Sequence, residues 1–118
     1  MLCDSRKKLR NLCHTALGPG FVEKIYEKAF AYELKKETIN FEHQKTIRVE
    51  YANLELGDQR VDFLIEDEMI VDIKSVSRII ELHQDQMISY LKTSNKRLGL
   101  ILNFGRKKIE IRRLVNNF

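Results

Sequence analysis

No stretch of this 118-residue chain approaches the ~20 consecutive apolar residues that a membrane-spanning helix needs. The segment Met1 to Arg10 has no apolar core of the kind a signal peptide carries, so the expected location is the cytoplasm and no membrane partner is expected. Cysteine is scarce. Cys3 and Cys13 are too few for a disulfide framework, fall short of the four thiolates of an iron–sulfur cluster, and are expected to be free thiols in a reducing compartment. With His14, His43 and His83 they lie scattered, without the ligand spacing of a structural zinc site. Repeats, linkers and low-complexity segments are missing too, so the expectation is one domain over residues 1–118, large enough for one core. Charge of one sign is not extreme: a net charge of +4 admits a polyanionic partner without requiring one.

The periodicity predicts three helices and five strands, in the order ααβββαββ. Leu9, Leu12, Cys13, Ala16 and Leu17 fall at helical spacing over residues 5–17, and Gly18-Pro19-Gly20 ends that segment. A second helix is expected over 21–37, with Val22, Ile25, Ala29, Phe30 and Leu34 as its apolar stripe. Glu23 in its first turn suits the helix dipole, and that alone is a sufficient reason for an acid there. Residues 41–51 alternate as a strand, with Phe41, His43, Ile47, Val49 and Tyr51 on one face. Ala52-Asn53 is a turn, residues 54–56 continue the sheet, and Gly57-Asp58 is expected to turn again. A third helix is expected over 81–94 with Leu82, Met87, Tyr90 and Leu91 as its stripe, a buried strand over 98–104, and a last strand over 108–115.

The stretch from Arg60 to Lys74 carries the chemistry. Two short apolar strands flank an acidic turn, and each holds a carboxylate that an apolar strand would not choose. A two-residue turn at Asp67 and Glu68 would set Phe63 opposite Asp72. A three-residue turn from Glu66 to Glu68 would set Asp62 opposite Asp72, leaving Val61, Phe63, Ile65, Met69, Val71 and Ile73 on the other face. Like charges facing each other across a sheet are unfavourable, so the second register makes sense with a cation between them. Two carboxylates suit Mg²⁺ or Mn²⁺, and Lys74, on the same side as Asp72, offers a positive charge to a phosphate or an attacking water. The plainer alternative leaves both acids at frayed strand ends, with Lys74 paired to Asp72 on an exposed face.

Gly20-x-x-Glu23-x-x-Tyr26, Asp62, the triplet Asp72-Ile73-Lys74, the segment Gln86 to Tyr90 and the run Leu98 to Gly105 occur in that order. Together they resemble the GxxExxY family of the PD-(D/E)XK nuclease superfamily, over about residues 12–115. Asp62 and Asp72-x-Lys74 look like the superfamily's D…(D/E)-x-K pattern. Gln86 and Tyr90 are similar to the Q-x-x-x-Y motif of its RecB-like branch. The resemblance implies an α/β (α+β) fold with a restriction-endonuclease-like core, a mixed central sheet flanked by helices. It implies Asp62, Asp72 and Glu23 as ligands of Mg²⁺ or Mn²⁺, with the carbonyl of Ile73 as a further ligand. Lys74 would orient the water or stabilise the transition state, and Gln86 and Tyr90 would border the site. Tyr26 is expected to be structural and His83 a surface residue. Arg106, Lys107 and Lys108, with Arg112 and Arg113, form a basic cluster that either contacts a phosphate backbone or is ordinary solvated charge. The activity implied is hydrolysis of nucleic acid, with DNA as the first expectation and a homodimer or protein partner as a further one. The rival reading keeps the fold as a non-catalytic nucleic-acid-binding or protein-interaction module. No base-reading motif is visible.

Overall fold

The computed structural model describes residues 17–117; the helix expected over 5–17 lies outside them apart from Leu17. The elements are α1 (Glu23–Lys36), β1 (Phe41–Tyr51), β2 (Leu54–Ile65), β3 (Met69–Lys74), α2 (Glu81–Ser94), β4 (Leu98–Asn103) and β5 (Glu110–Val115). They form a mixed α+β architecture: one five-stranded sheet in the order β1-β2-β3-β4-β5, antiparallel except where β3 and β4 run parallel. The parallel pair needs a crossover, and α2 supplies it. No helix among the described residues is long and apolar enough to cross a membrane.

The centre of the sheet is buried on both faces. On one, Phe63, Ile65, Met69, Val71, Ile73, Leu100 and Leu102 pack with Tyr26, Phe30 and Leu34 of α1. On the other, Ile47, Val61, Leu64, Ile70 and Ile101 pack with Met87, Tyr90 and Leu91 of α2. Each apolar side chain buried in this way contributes ~1.5–3 kcal/mol. Such two-sided burial accounts for the near-continuous apolar runs of β3 and β4. Close approach is written into Gly99, where an added Cβ would stand 2.6 Å from Met87 Sδ and force the Met87 side chain to shift.

Five sequence expectations change. The buried stripe of α1 is Tyr26, Glu27, Phe30, Ala31 and Leu34, and Val22 and Ile25 are exposed, because Tyr26 rather than its apolar neighbours anchors the helix. Tyr26 stacks on Phe104 (centroids 4.8 Å apart) and its hydroxyl donates to the Gly18 carbonyl, as befits its expected structural role. Leu82 is likewise exposed on α2. Gly57 and Asp58 do not turn; they lie within β2, and Gly57 (φ 154°) stands beside a bulge at Val49/Glu50. A glycine inside a strand often marks such an irregularity. Finally, β1 does not keep one face. Gln44 adopts φ 58°, which reverses the alternation: Phe41 and His43 pack on Phe63 on the α1 side, and Ile47 joins the α2 side. Val61 goes with Ile47 rather than with Phe63.

Candidate active site

The site begins where the β2–β3 ladder stops. Ile65 pairs with Met69, Leu64 with Ile70 and Phe63 with Val71, so the turn is the three-residue alternative, Glu66 to Glu68. Asp62 and Asp72 come next, and their carboxylates take over from the backbone rungs. The Asp62 N–H donates to Asp72 Oδ1 at 3.2 Å, and the Ile73 N–H donates to Asp62 Oδ2 at 2.8 Å. The two strands are thus stapled by the acids themselves. Frayed ends are ruled out, since Asp72 is only 6% exposed and Asp62 is half-buried between Val61 and Phe63, both fully buried.

Burial raises both acids. It pushes Asp62 up to about 7, the facing Asp72 charge adds to this, and the Ile73 N–H pulls the other way. It pushes Asp72 up to about 6, opposed by the Asp62 N–H and by Lys74. Glu23 and Glu27 of α1 raise both further. Lys74 is half-buried, with its carbonyl fixed by the Phe104 N–H at 2.8 Å. Tyr90 enters from α2, nearly buried; burial and the Asp72 and Asp62 charges push its phenol up to about 12.

Asp62, Glu23, Lys74 and Tyr90 are therefore each close enough to Asp72 for charge to be felt between them. Gln86 is exposed one helical turn before Tyr90, and its carbonyl accepts from Ser89 Oγ at 2.7 Å. Ile73 has its N–H committed to Asp62. Arg106, Lys107 and Lys108 are exposed in the turn after β4, just beyond Asn103, which pairs with Lys74. Arg112 reaches Glu110 at 3.4 Å, and Arg113 is exposed. His83 does local work: its Nδ1 accepts from the Ile80 N–H at 3.1 Å and ties down the start of α2.

Sequence reasoning missed Glu27. It is 7% exposed, faces the same acids as Glu23, and sits four residues after it on α1. The available signal was its place beside Tyr26, on the same helix face as Phe30 and Leu34. Also missed was the clamp that holds the segment after Lys74. Asn103, fully buried, accepts from the Val76 and Gly105 N–H groups and donates to the Val76 carbonyl and to Glu110 Oε1.

A hard divalent cation fits this donor set. Among the described residues no three His, Cys, Asp or Glu side chains form a ready cage for a metal ion. What is present is a pair of oxygen donors whose charges are only partly compensated by two backbone N–H groups and Lys74, and Mg²⁺ commonly binds through one or two carboxylates, with waters and a phosphate filling its shell.

Comparison with known proteins bears on the fold and the family. A solved structure described as "Crystal structure of SSO0001" superposes with a TM-score of 0.62 at 15% identity, over 81% of this chain and 51% of that one. The likeness concerns the fold, and this chain spans about half the length of that protein. No curated protein matches the sequence significantly. The family model of the PD-(D/E)XK nuclease superfamily matches residues 7–114, and the chain belongs to that superfamily.

Proposed function

We propose that this protein is a metal-dependent nuclease of the GxxExxY type, hydrolysing phosphodiester bonds in nucleic acid, with DNA as the leading substrate. The observation that carries this reading is the Asp62–Asp72 staple: two opposed carboxylates, one buried and one half-buried, with raised pKa values beside a lysine. Acids perturbed by burial together with a specific charge partner are the groups by which functional sites are recognised.

In this reading Asp62, Asp72 and Glu23, with the Ile73 carbonyl, hold Mg²⁺ or Mn²⁺. When bound, the ion makes water a nucleophile at neutral pH and neutralises charge on the phosphate. Lys74 holds the attacking water or the developing negative charge, and its fixed backbone keeps its ammonium near Asp72. Tyr90 keeps its proton at any physiological pH and so serves as a hydrogen-bond donor rather than a base. Gln86, exposed on the same helix, meets the substrate next to it. Arg106, Lys107 and Lys108 extend positive charge from the Lys74 end of the sheet for the phosphate backbone.

The test is incubation of the purified protein with labelled single-stranded DNA, double-stranded DNA and RNA, in Mg²⁺ or Mn²⁺, with Asp72→Ala and Lys74→Ala alongside. Metal-dependent cutting lost in both variants supports the reading and identifies the substrate. Cutting that survives both substitutions contradicts it. Cation binding without cutting of any substrate would point instead to a binding module on the same fold.

A further inference from the structure

The fold takes unusual trouble over Glu27. This carboxylate is buried beside two others, where each added negative charge is unfavourable. Two side chains from β1 hold it there. His43 Nε2 lies 2.6 Å from Glu27 Oε1, and Gln44 Nε2 donates to the same oxygen. Neighbouring strand residues normally point to opposite faces. His43 and Gln44 reach one carboxylate because Gln44 is in the left-handed region at φ 58°. That conformation costs a non-glycine residue on the order of 1 kcal/mol. The kink also has a defined place. His43 pairs with Phe63 and Lys45 with Val61, so Gln44 stands at the level of Asp62. The His43 ring is fixed in turn by stacking on Phe63, with centroids 4.6 Å apart and planes within 1°.

An isolated structural carboxylate would be better placed at the surface, and an apolar residue would fill the α1 face at lower cost. The arrangement becomes favourable when a positive charge binds beside it. We propose that Glu27 is a positioning residue of the acid site. Locked by His43 and Gln44, it adds a further fixed carboxylate charge behind the Asp62, Asp72 and Glu23 ligands and so raises the affinity of the site for a divalent cation. This inference rests on the metal-dependent reading above and goes beyond its ligand set.

The test is calorimetric titration of Mn²⁺ into the full chain and into Glu27→Gln and Gln44→Gly, with a thermal melt of each in cation-free buffer. Glu27→Gln keeps an acceptor for His43 and removes only the charge. Gln44→Gly keeps the backbone kink and removes the amide that holds Glu27. The expected result is about tenfold weaker Mn²⁺ binding in Glu27→Gln, in line with the 10–100-fold typical of groups that support metal ligands. Its melting temperature should not fall below that of the parent chain. Gln44→Gly should weaken binding about threefold by the same route. Equal Mn²⁺ affinity in a folded Glu27→Gln overturns the proposal. Should that variant not fold, unchanged affinity in Gln44→Gly overturns it instead. A parent chain that binds Mn²⁺ while both variants bind equally well removes this inference alone; a parent chain that binds no cation removes the metal-dependent reading with it.

Discussion

Two buried polar clusters stand where β3 and β4 run out, and they differ in how fully they are satisfied. In the first, every polar group of the Asn103 side chain has a partner, and Glu110 Oε1 accepts from Asn103 Nδ2 at 3.1 Å and from the Ile79 N–H at 2.9 Å. Burial alone would raise Glu110, but Asn103, the Ile79 N–H and Arg112 outweigh it and hold it below its usual range. In the second, two carboxylates share two backbone N–H groups and face two more acids, and both are raised. The first cluster is a finished structural joint. The second is left short of positive charge. A carboxylate with its donors in place stabilises a structure, whereas one held short of them is prepared for something else.

Substitution separates the two clusters. The largest effect is expected at the incomplete one: Asp72→Ala and Lys74→Ala each lower the cleavage rate by about 10³-fold or more, the scale on which preorganised charge acts in a transition state. Circular dichroism should show both variants folded. At the finished joint the effect falls on stability. Asn103→Ala leaves the Val76 and Gly105 N–H groups without their acceptor and costs about 2–3 kcal/mol by urea denaturation.

The sign reverses for Asp62. Its folded value of about 7 lies above the unfolded ~3.9, so protonation favours the fold. That contribution is fully present below about pH 4 and is lost as pH rises through about 7. In cation-free buffer at about pH 8, Asp62→Asn should therefore be more stable than the parent chain by roughly 1–2 kcal/mol, and the two should converge near about pH 4. Urea melts at both pH values measure this; equal stability at both would remove the contrast between the clusters. The smallest effect is expected outside both. Replacing Arg106, Lys107 and Lys108 together with Ala should weaken nucleic-acid binding and lower its salt slope by about 0.9 per lost phosphate contact, without changing cation affinity.

Much of the incomplete cluster was legible in the sequence, because a hairpin has only a few registers. Once the turn is three residues long, Asp62 must meet Asp72, and apolar neighbours on both strands oblige them to be buried. Lys74 follows from its spacing along one strand, whereas Tyr90 was placed at the site only by the resemblance, its spacing putting it in the apolar stripe of α2. Glu27 did not follow, because its partners lie 16 and 17 residues away and reach it only through the kink at Gln44. Non-glycine residues rarely adopt that conformation, and no local pattern announces it. The same kink hid the change of face along β1 and the shift of Val61. The stripe of α1 was misplaced for a related reason: a polar-tipped Tyr26 and a charged Glu27 are buried while Val22 and Ile25 are not, and tertiary packing decided the matter. The finished joint was invisible because it links Val76, Asn103 and Glu110 across three separate segments.

The central claim is that the Asp62–Asp72 pair is built to be completed by a divalent cation. The most direct measurement is calorimetric titration of Mg²⁺ and Mn²⁺ into the parent chain and into Asp72→Asn, at about pH 6.5 in two buffers of different ionisation enthalpy. The account predicts saturable binding to the parent chain with release of a proton, since the raised acids must deprotonate to take the ion. It predicts that Asp72→Asn loses the binding. No saturable heat with the parent chain, or equal binding by the variant, would contradict it.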